Sequence, residues 1–153
     1  MSLFKKILTA IVIILLAMQF IRPDRNIDNQ ASSTDISGVF SVPDSVKVIL
    51  QNACYDCHSN NTRYPWYVNI QPAGWWMAGH ISDAKGDLNF SEFGGYTPRK
   101  QISKLEGVAG VIEKDFMPLK SYKMMHKSAR LSTDEKNLVI NWAQRSADSI
   151  TAK

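Results

Sequence analysis

The chain has 153 residues, 44% hydrophobic and 21% charged, with 18 basic and 14 acidic side chains and a net charge of +4. That length suits one globular domain and excludes two full-sized ones, and the apolar content excludes disorder throughout. Two cysteines exclude a multi-disulfide scaffold, and no dense Lys/Arg tract points to nucleic acid. Ile7 to Ile21 is an uncharged run of 15 residues behind Lys5 and Lys6. As a helix it is about 22 Å long, against a hydrocarbon core of roughly 30 Å. Adding Leu3 and Phe4, with the lysines snorkelling, brings it to about 28 Å. The exit, Ala17-Met18-Gln19-Phe20-Ile21-Arg22, puts bulky residues where signal cleavage wants small ones. Residues 1–22 are therefore expected to be a retained transmembrane anchor, with a cleaved signal as the alternative. Residues 23–37 lack periodicity and read as a flexible tether with a reach of about 20 Å.

Residues 38–153 show helical periodicity and no sustained strand alternation. In a first helix Val46, Ile49, Leu50, Ala53, Cys54 and Cys57 share one face, with Pro43 and Asp44 at its start. A short helix is expected around Trp75 to Ala84, after the aromatic stretch Tyr64-Pro65-Trp66-Tyr67. Thr97-Pro98 caps the next helix, whose stripe is Ile102, Leu105, Val108, Ala109 and Ile112. Gly107 and Gly110 weaken that helix by about 1 kcal/mol each relative to alanine. They are kept for close packing or simply tolerated. Ser132-Thr133-Asp134-Glu135 is a capping box for the last helix, with Leu138, Val139, Trp142 and Ala143 facing inward. The domain is expected to be all-α with long ordered connections.

Both cysteines fall in Cys54-Tyr55-Asp56-Cys57-His58. This Cys-x-x-Cys-His spacing is that of covalent c-type haem attachment. Two thiols on one helical turn can each add to a porphyrin vinyl group, and the histidine that follows then lies under the iron as proximal ligand. A buried porphyrin would also supply the centre of a small core. A thioredoxin-like pair expects a βαβ setting, which is not visible, and zinc would need His80 and His126 to complete four ligands.

The other axial position decides what the iron does. Met117-Pro118, 59 residues after His58, is the first choice. A soft thioether favours ferrous iron, and the proline stiffens the loop that presents it. His126 is the runner-up and His80 the third candidate. Met77, Met124 and Met125 read as packing residues. The Met-Pro placement resembles that of small c-type cytochromes, although Leu119 stands where those often carry a second proline.

The chain resembles the bacterial haem-binding domain proteins, small membrane-tethered chains with one Cys-x-x-Cys-His. The matching residues include Tyr64-Pro65-Trp66-Tyr67, Pro72 with Trp75-Trp76 and His80, Leu88 to Phe93, Met117-Pro118, and Tyr122 with His126 and Ala129-Arg130-Leu131-Ser132. The resemblance covers most of residues 40–145. It implies one haem c per chain in a cytochrome c-like helical domain, and supplies no reaction. Thioether attachment in Gram-negative bacteria takes place outside the cytoplasmic membrane. The expected location is thus the inner membrane, single-pass, with the haem domain in the periplasm. Electron transfer is the leading expectation, with a haem enzyme or gas sensor as the alternative. Lys114, Lys120, Lys123, Lys127 and Arg130 form a basic collar near Met117 that would steer an acidic redox partner.

Overall fold

The computed structural model describes residues 2–28 and 32–152; residues 29–31 of the expected tether, with residues 1 and 153, lie outside the described residues. Helix α1 is Leu3–Met18, α2 Ile36–Val39, α3 Asp44–Ala53, α4 Tyr55–His58, α5 Ala73–Asp87, α6 Pro98–Glu113, α7 Lys120–Met125 and α8 Thr133–Thr151. Short 3₁₀ turns at Trp66–Asn69, Phe90–Gly95 and Lys127–Ala129 join them. Among the described residues the only extended pairing is an isolated bridge between Ile27 and Asn61. The all-α expectation agrees with this.

The main core lies between α6 and α8. Leu105, Val108, Ala109 and Ile112 of α6 meet Val139, Trp142, Ala143 and Ala147 of α8, and α3 adds Val46, Ile49 and Leu50. Alanines at 109, 143 and 147 let the two helices approach closely, so the large neighbours are fully removed from water. Each buried Leu, Ile or Val contributes roughly 1.5–3 kcal/mol. The starts are chemically fixed. Thr97 Oγ1 accepts from the Lys100 N–H at 3.4 Å, and Ser132 and Glu135 cap each other's backbone N–H groups reciprocally. Trp142 Nε1 donates to the Ser41 carbonyl at 3.3 Å, tying α8 to the segment before α3. Two details depart from the periodic reading. Leu138 is 43% exposed, and Ile102 is only partly buried against the core. A stripe drawn at 100° per residue is wider than the area that α6 and α8 have to share.

A smaller cluster, Val68, Met77 and Ile81, joins α5 to the Trp66–Asn69 turn. Here α5 runs past both ends of the expected Trp75–Ala84 helix. Gly74 makes the contact possible, since a Cβ there would stand 2.5 Å from the Val68 carbonyl oxygen and 2.7 Å from the Gln71 side-chain amide.

The N-terminal segment overturns an expectation. Helix α1 has 16 residues, about 24 Å at 1.5 Å per residue, and stops at Met18 rather than running on to Ile21. Among the described residues no helix is long and apolar enough to cross a membrane. The segment from Leu3 to Ile21 could reach about 28 Å only as one continuous helix, and its last three residues do not stay helical. Gln19 turns its side chain into a pair of bonds with Gln71, accepting from the Gln71 N–H at 2.9 Å and donating to its carbonyl at 3.2 Å. The expected transmembrane helix, the membrane as a partner and the single-pass inner-membrane location with a periplasmic domain are corrected accordingly. The segment that follows carries many contacts. Trp75 Nε1 donates to the Ile21 carbonyl at 2.7 Å, the Asn26 N–H to the Tyr64 hydroxyl at 2.7 Å, and Asn26 Nδ2 to the Ser59 carbonyl at 2.8 Å. Ile36, in the same expected tether, is fully buried.

The two kinds of glycine separate in stability measurements. Gly74→Ala is expected to lower the chemical-denaturation midpoint by an amount worth about 1–3 kcal/mol, from overpacking against backbone. Gly110→Ala, where a Cβ meets nothing within 4 Å, is expected to raise it by up to about 1 kcal/mol through helix propensity.

Candidate functional site

The helix through the cysteines is not continuous. Cys54 leaves helical geometry (φ −129°, ψ −44°), ending α3, and α4 restarts at Tyr55. The Cys54 N–H still donates to the Leu50 carbonyl at 2.9 Å, and the His58 N–H to the Cys54 carbonyl at 2.9 Å, so the bend keeps its backbone bonds. The expectation that both thiols share the face of one helix gives way to a bend. Cys54 packs against the main core, and Cys57 against the smaller cluster of α5.

That bend sets His58 at the seam. Its Nδ1 lies 2.9 Å from the Leu88 carbonyl oxygen and its ring meets Phe90 edge-on at 6.2 Å. A carbonyl can only accept, so Nδ1 carries the proton and Nε2 keeps its lone pair. This is the tautomer and orientation that a metal-binding imidazole requires.

Two adjoining cavities of about 240 and 340 Å³ open on either side of this seam. Both are lined by Ala53, Cys54, His58, Asp87, Met117 and Pro118. The first is walled by Leu88, Phe90, Val108, Val111 and Ile112, and by Gly107 of α6. A Cβ at Gly107 would meet nothing within 4 Å, so this glycine opens space toward the cavity rather than admitting a neighbouring helix. The second adds Cys57, His80 and Tyr122. Apolar walls, a thiol beside an oriented imidazole and a bare glycine wall fit a flat apolar macrocycle with a metal at its centre.

The structure brings Cys54, Cys57, His58 and Met117 around this space, and His80 to the edge of the second cavity. His80 Nδ1 bonds the Trp76 carbonyl at 3.0 Å, and its ring lies 4.1 Å from that of Trp76. His126 lines neither cavity. It stacks on Tyr122 at 4.0 Å and points Nδ1 at the Tyr122 carbonyl, 3.2 Å away.

Met117 is delivered by a tight turn off the end of α6. Asp115 adopts a left-handed conformation (φ 57°), and the N–H groups of Phe116 and Met117 fold back to the Val111 carbonyl at 2.9 and 3.2 Å. The Asp115 carboxylate accepts from Lys123 at 3.1 Å and Lys136 at 2.9 Å, which lowers its pKa. The expected basic collar is thus partly tied into its own loop, since Arg130 also donates to the Lys123 carbonyl at 2.8 Å. The structure offers no support for an acidic redox partner, and that expectation is withdrawn together with that of the membrane.

Asp56 went unremarked in the sequence, being one of the two variable positions of the motif. It is buried, with 7% exposure. Its carboxylate accepts from Arg63 Nε at 2.9 Å, from the Arg63 N–H at 3.2 Å and from the Tyr122 hydroxyl at 2.6 Å. Burial first, and then this bond to Asp56, push the Tyr122 phenol well above its ordinary pKa. No sequence pattern announces such a hub, because its partners stand 7 and 66 residues away.

Burial is also the main influence on the thiols. It pushes Cys54 up to about 12 with help from Cys57, and Cys57 up to about 11 with help from Asp56. A dithiol redox catalyst needs the opposite shift. Nor, among the described residues, do three or more Cys, His, Asp or Glu gather as a metal cluster. In the haem-free chain, iodoacetamide at pH 8 is expected to alkylate Cys57 about a hundred-fold and Cys54 about a thousand-fold more slowly than in urea-unfolded chain. The raised pKa values favour the protonated, folded form. The stabilisation they give is complete below pH 9 and is lost as pH rises toward 11 to 12, which a denaturation series across that window reads directly.

A search of curated proteins and one of solved structures each find no match. The family model described as "Haem-binding domain" matches residues 13–145, which include every residue of the two cavities. The chain belongs to the haem-binding domain family and is a haem-binding protein.

Proposed function

We propose that this protein carries one covalently attached haem c and works as an electron carrier. The reading rests on the shared lining of the two cavities, in which Cys54, His58 and Met117 meet. When bound, a haem supplies an iron that changes by one electron without gaining or losing atoms. The protein's part is attachment, ligation and exclusion of water. Cys54 and Cys57 would hold the haem through two thioether links, each S–H adding across a vinyl double bond with no net oxidation. His58, with Nδ1 held by the Leu88 carbonyl, would offer Nε2 as the proximal ligand. Met117 is the proposed distal ligand. His80 is second, because it lines the second cavity, and His126 falls behind it because it lines neither. The binding residues all lie within 38–153, the proposed haem domain.

The enzyme or sensor alternative has less to stand on. A distal acid needs a proton to give, yet the Tyr122 hydroxyl that lines the second cavity is committed to Asp56.

Expressed in a host that matures c-type cytochromes, the chain is expected to gain the mass of one haem that acidified acetone does not extract. Cys54→Ser with Cys57→Ser is expected to make that haem extractable. The ferric spectrum should be low-spin and the ferrous form slow to take up carbon monoxide. Met117→Ala should turn the ferric form high-spin. Extractable haem in the unmutated chain would sink the covalent reading, and a low-spin Met117→Ala would move ligation to His80 or another group.

A further inference from the structure

We propose that Asp56 is a positioning residue that clamps the Met117 loop closed over the haem side of the molecule. The proposal rests on Met117 being the distal ligand. Three segments meet at this one carboxylate. It belongs to α4, between the two thiols and next to the proximal histidine. Through Arg63 it holds the return segment after α4, by the backbone N–H at 3.2 Å and the guanidinium Nε at 2.9 Å. Through the Tyr122 hydroxyl, at 2.6 Å, it holds α7.

Tyr122 stands only five residues after Met117, so the proximal and distal sides are referenced to the same pair of oxygens. The loop has no comparable hold of its own. Helix α7 has six residues and buries none of them fully, and Phe116, Met124 and Met125 are exposed. A helix that short is marginal without tertiary support. Its other polar ties are the Lys123 ion pair to the exposed Asp115, which solvent screens, and the bonds from the exposed Arg130 to the Lys123 and Met124 carbonyls. The bond from Tyr122 to a buried carboxylate is charge-assisted and shielded, hence the strongest single attachment of α7 to the body. The Tyr122 ring also faces the second cavity, so releasing it would open that cavity as well as the loop.

A ferrous iron ligated by methionine takes up carbon monoxide only from the state in which the loop has opened. The uptake rate therefore scales with the open fraction. In the haem-loaded chain, Tyr122→Phe, which removes only the hydroxyl, is expected to raise that rate about 10-fold or more. It should also speed amide exchange at Lys123 and His126, whose N–H groups bond within the α7 segment. Asp56→Asn should do the same, and adding Tyr122→Phe to it should change little more, since the second substitution acts on a bond the first has already weakened.

A merely structural role for Asp56 would lower the melting temperature and leave gas uptake unchanged; that result overturns the proposal. So does a Tyr122→Phe chain with wild-type uptake and exchange. If the unmutated chain binds the gas at once, ligation by Met117 fails and positioning of a ligand fails with it. Exchange in residues 117–126 of Tyr122→Phe then still tells whether the clamp on α7 exists.

Discussion

The break in the backbone at Cys54 is the constraint on which the site depends. A continuous helix from Asp44 to His58 would have carried Cys57 and His58 along the flank of the main core. By ending α3 and restarting α4, the chain turns Cys57 toward the smaller cluster of α5 and leaves Cys54 against the main core. His58 then falls between the two apolar clusters, where the Leu88 carbonyl accepts the hydrogen bond from its Nδ1–H. One local change of φ and ψ therefore sets thiol placement, imidazole tautomer and the seam between the cavities.

On the opposite side, the geometry comes from the end of α6. A left-handed Asp115 reverses the chain and presents Met117 back toward α3, while its carboxylate gathers Lys123 and Lys136. Asp56 supplies the connection between this side and the cysteine motif. The arrangement has a simple energetic sense. Core helices α6 and α8 are held by extensive apolar burial, whereas α7 is held by a few polar bonds. Opening should therefore cost least there, at the element nearest the proposed distal ligand.

Helix α1 shows how composition and conformation can part. The apolar run of fifteen residues is present as read, and the side chains from Leu3 to Leu16 are largely exposed. Hydropathy counts residues, but crossing a bilayer needs length along one helix axis. Gln19 ends that axis by exchanging two hydrogen bonds with Gln71. The segment after it follows the body of the molecule through Ile21 and Asn26.

Several features were legible from sequence because their physics is local. Helical periodicity placed α3, α6 and α8, since side chains three and four apart must share a face. The Thr97 cap and the Ser132–Glu135 box fixed two starts, because capping is settled within one turn. The Cys54-Tyr55-Asp56-Cys57-His58 spacing pointed to haem, and membership of the haem-binding domain family agrees with it. What tertiary structure decided was everything requiring distant partners. It placed Leu138 outside the core, opened Gly107 onto a cavity, and set His80 beside that space and His126 away from it. It also made Asp56 a hub for Arg63 and Tyr122, and ended α1 at a glutamine whose partner lies 52 residues on. Short-range geometry is written in neighbouring residues, whereas burial, tautomer and clamp exist only once segments far apart in the chain have met.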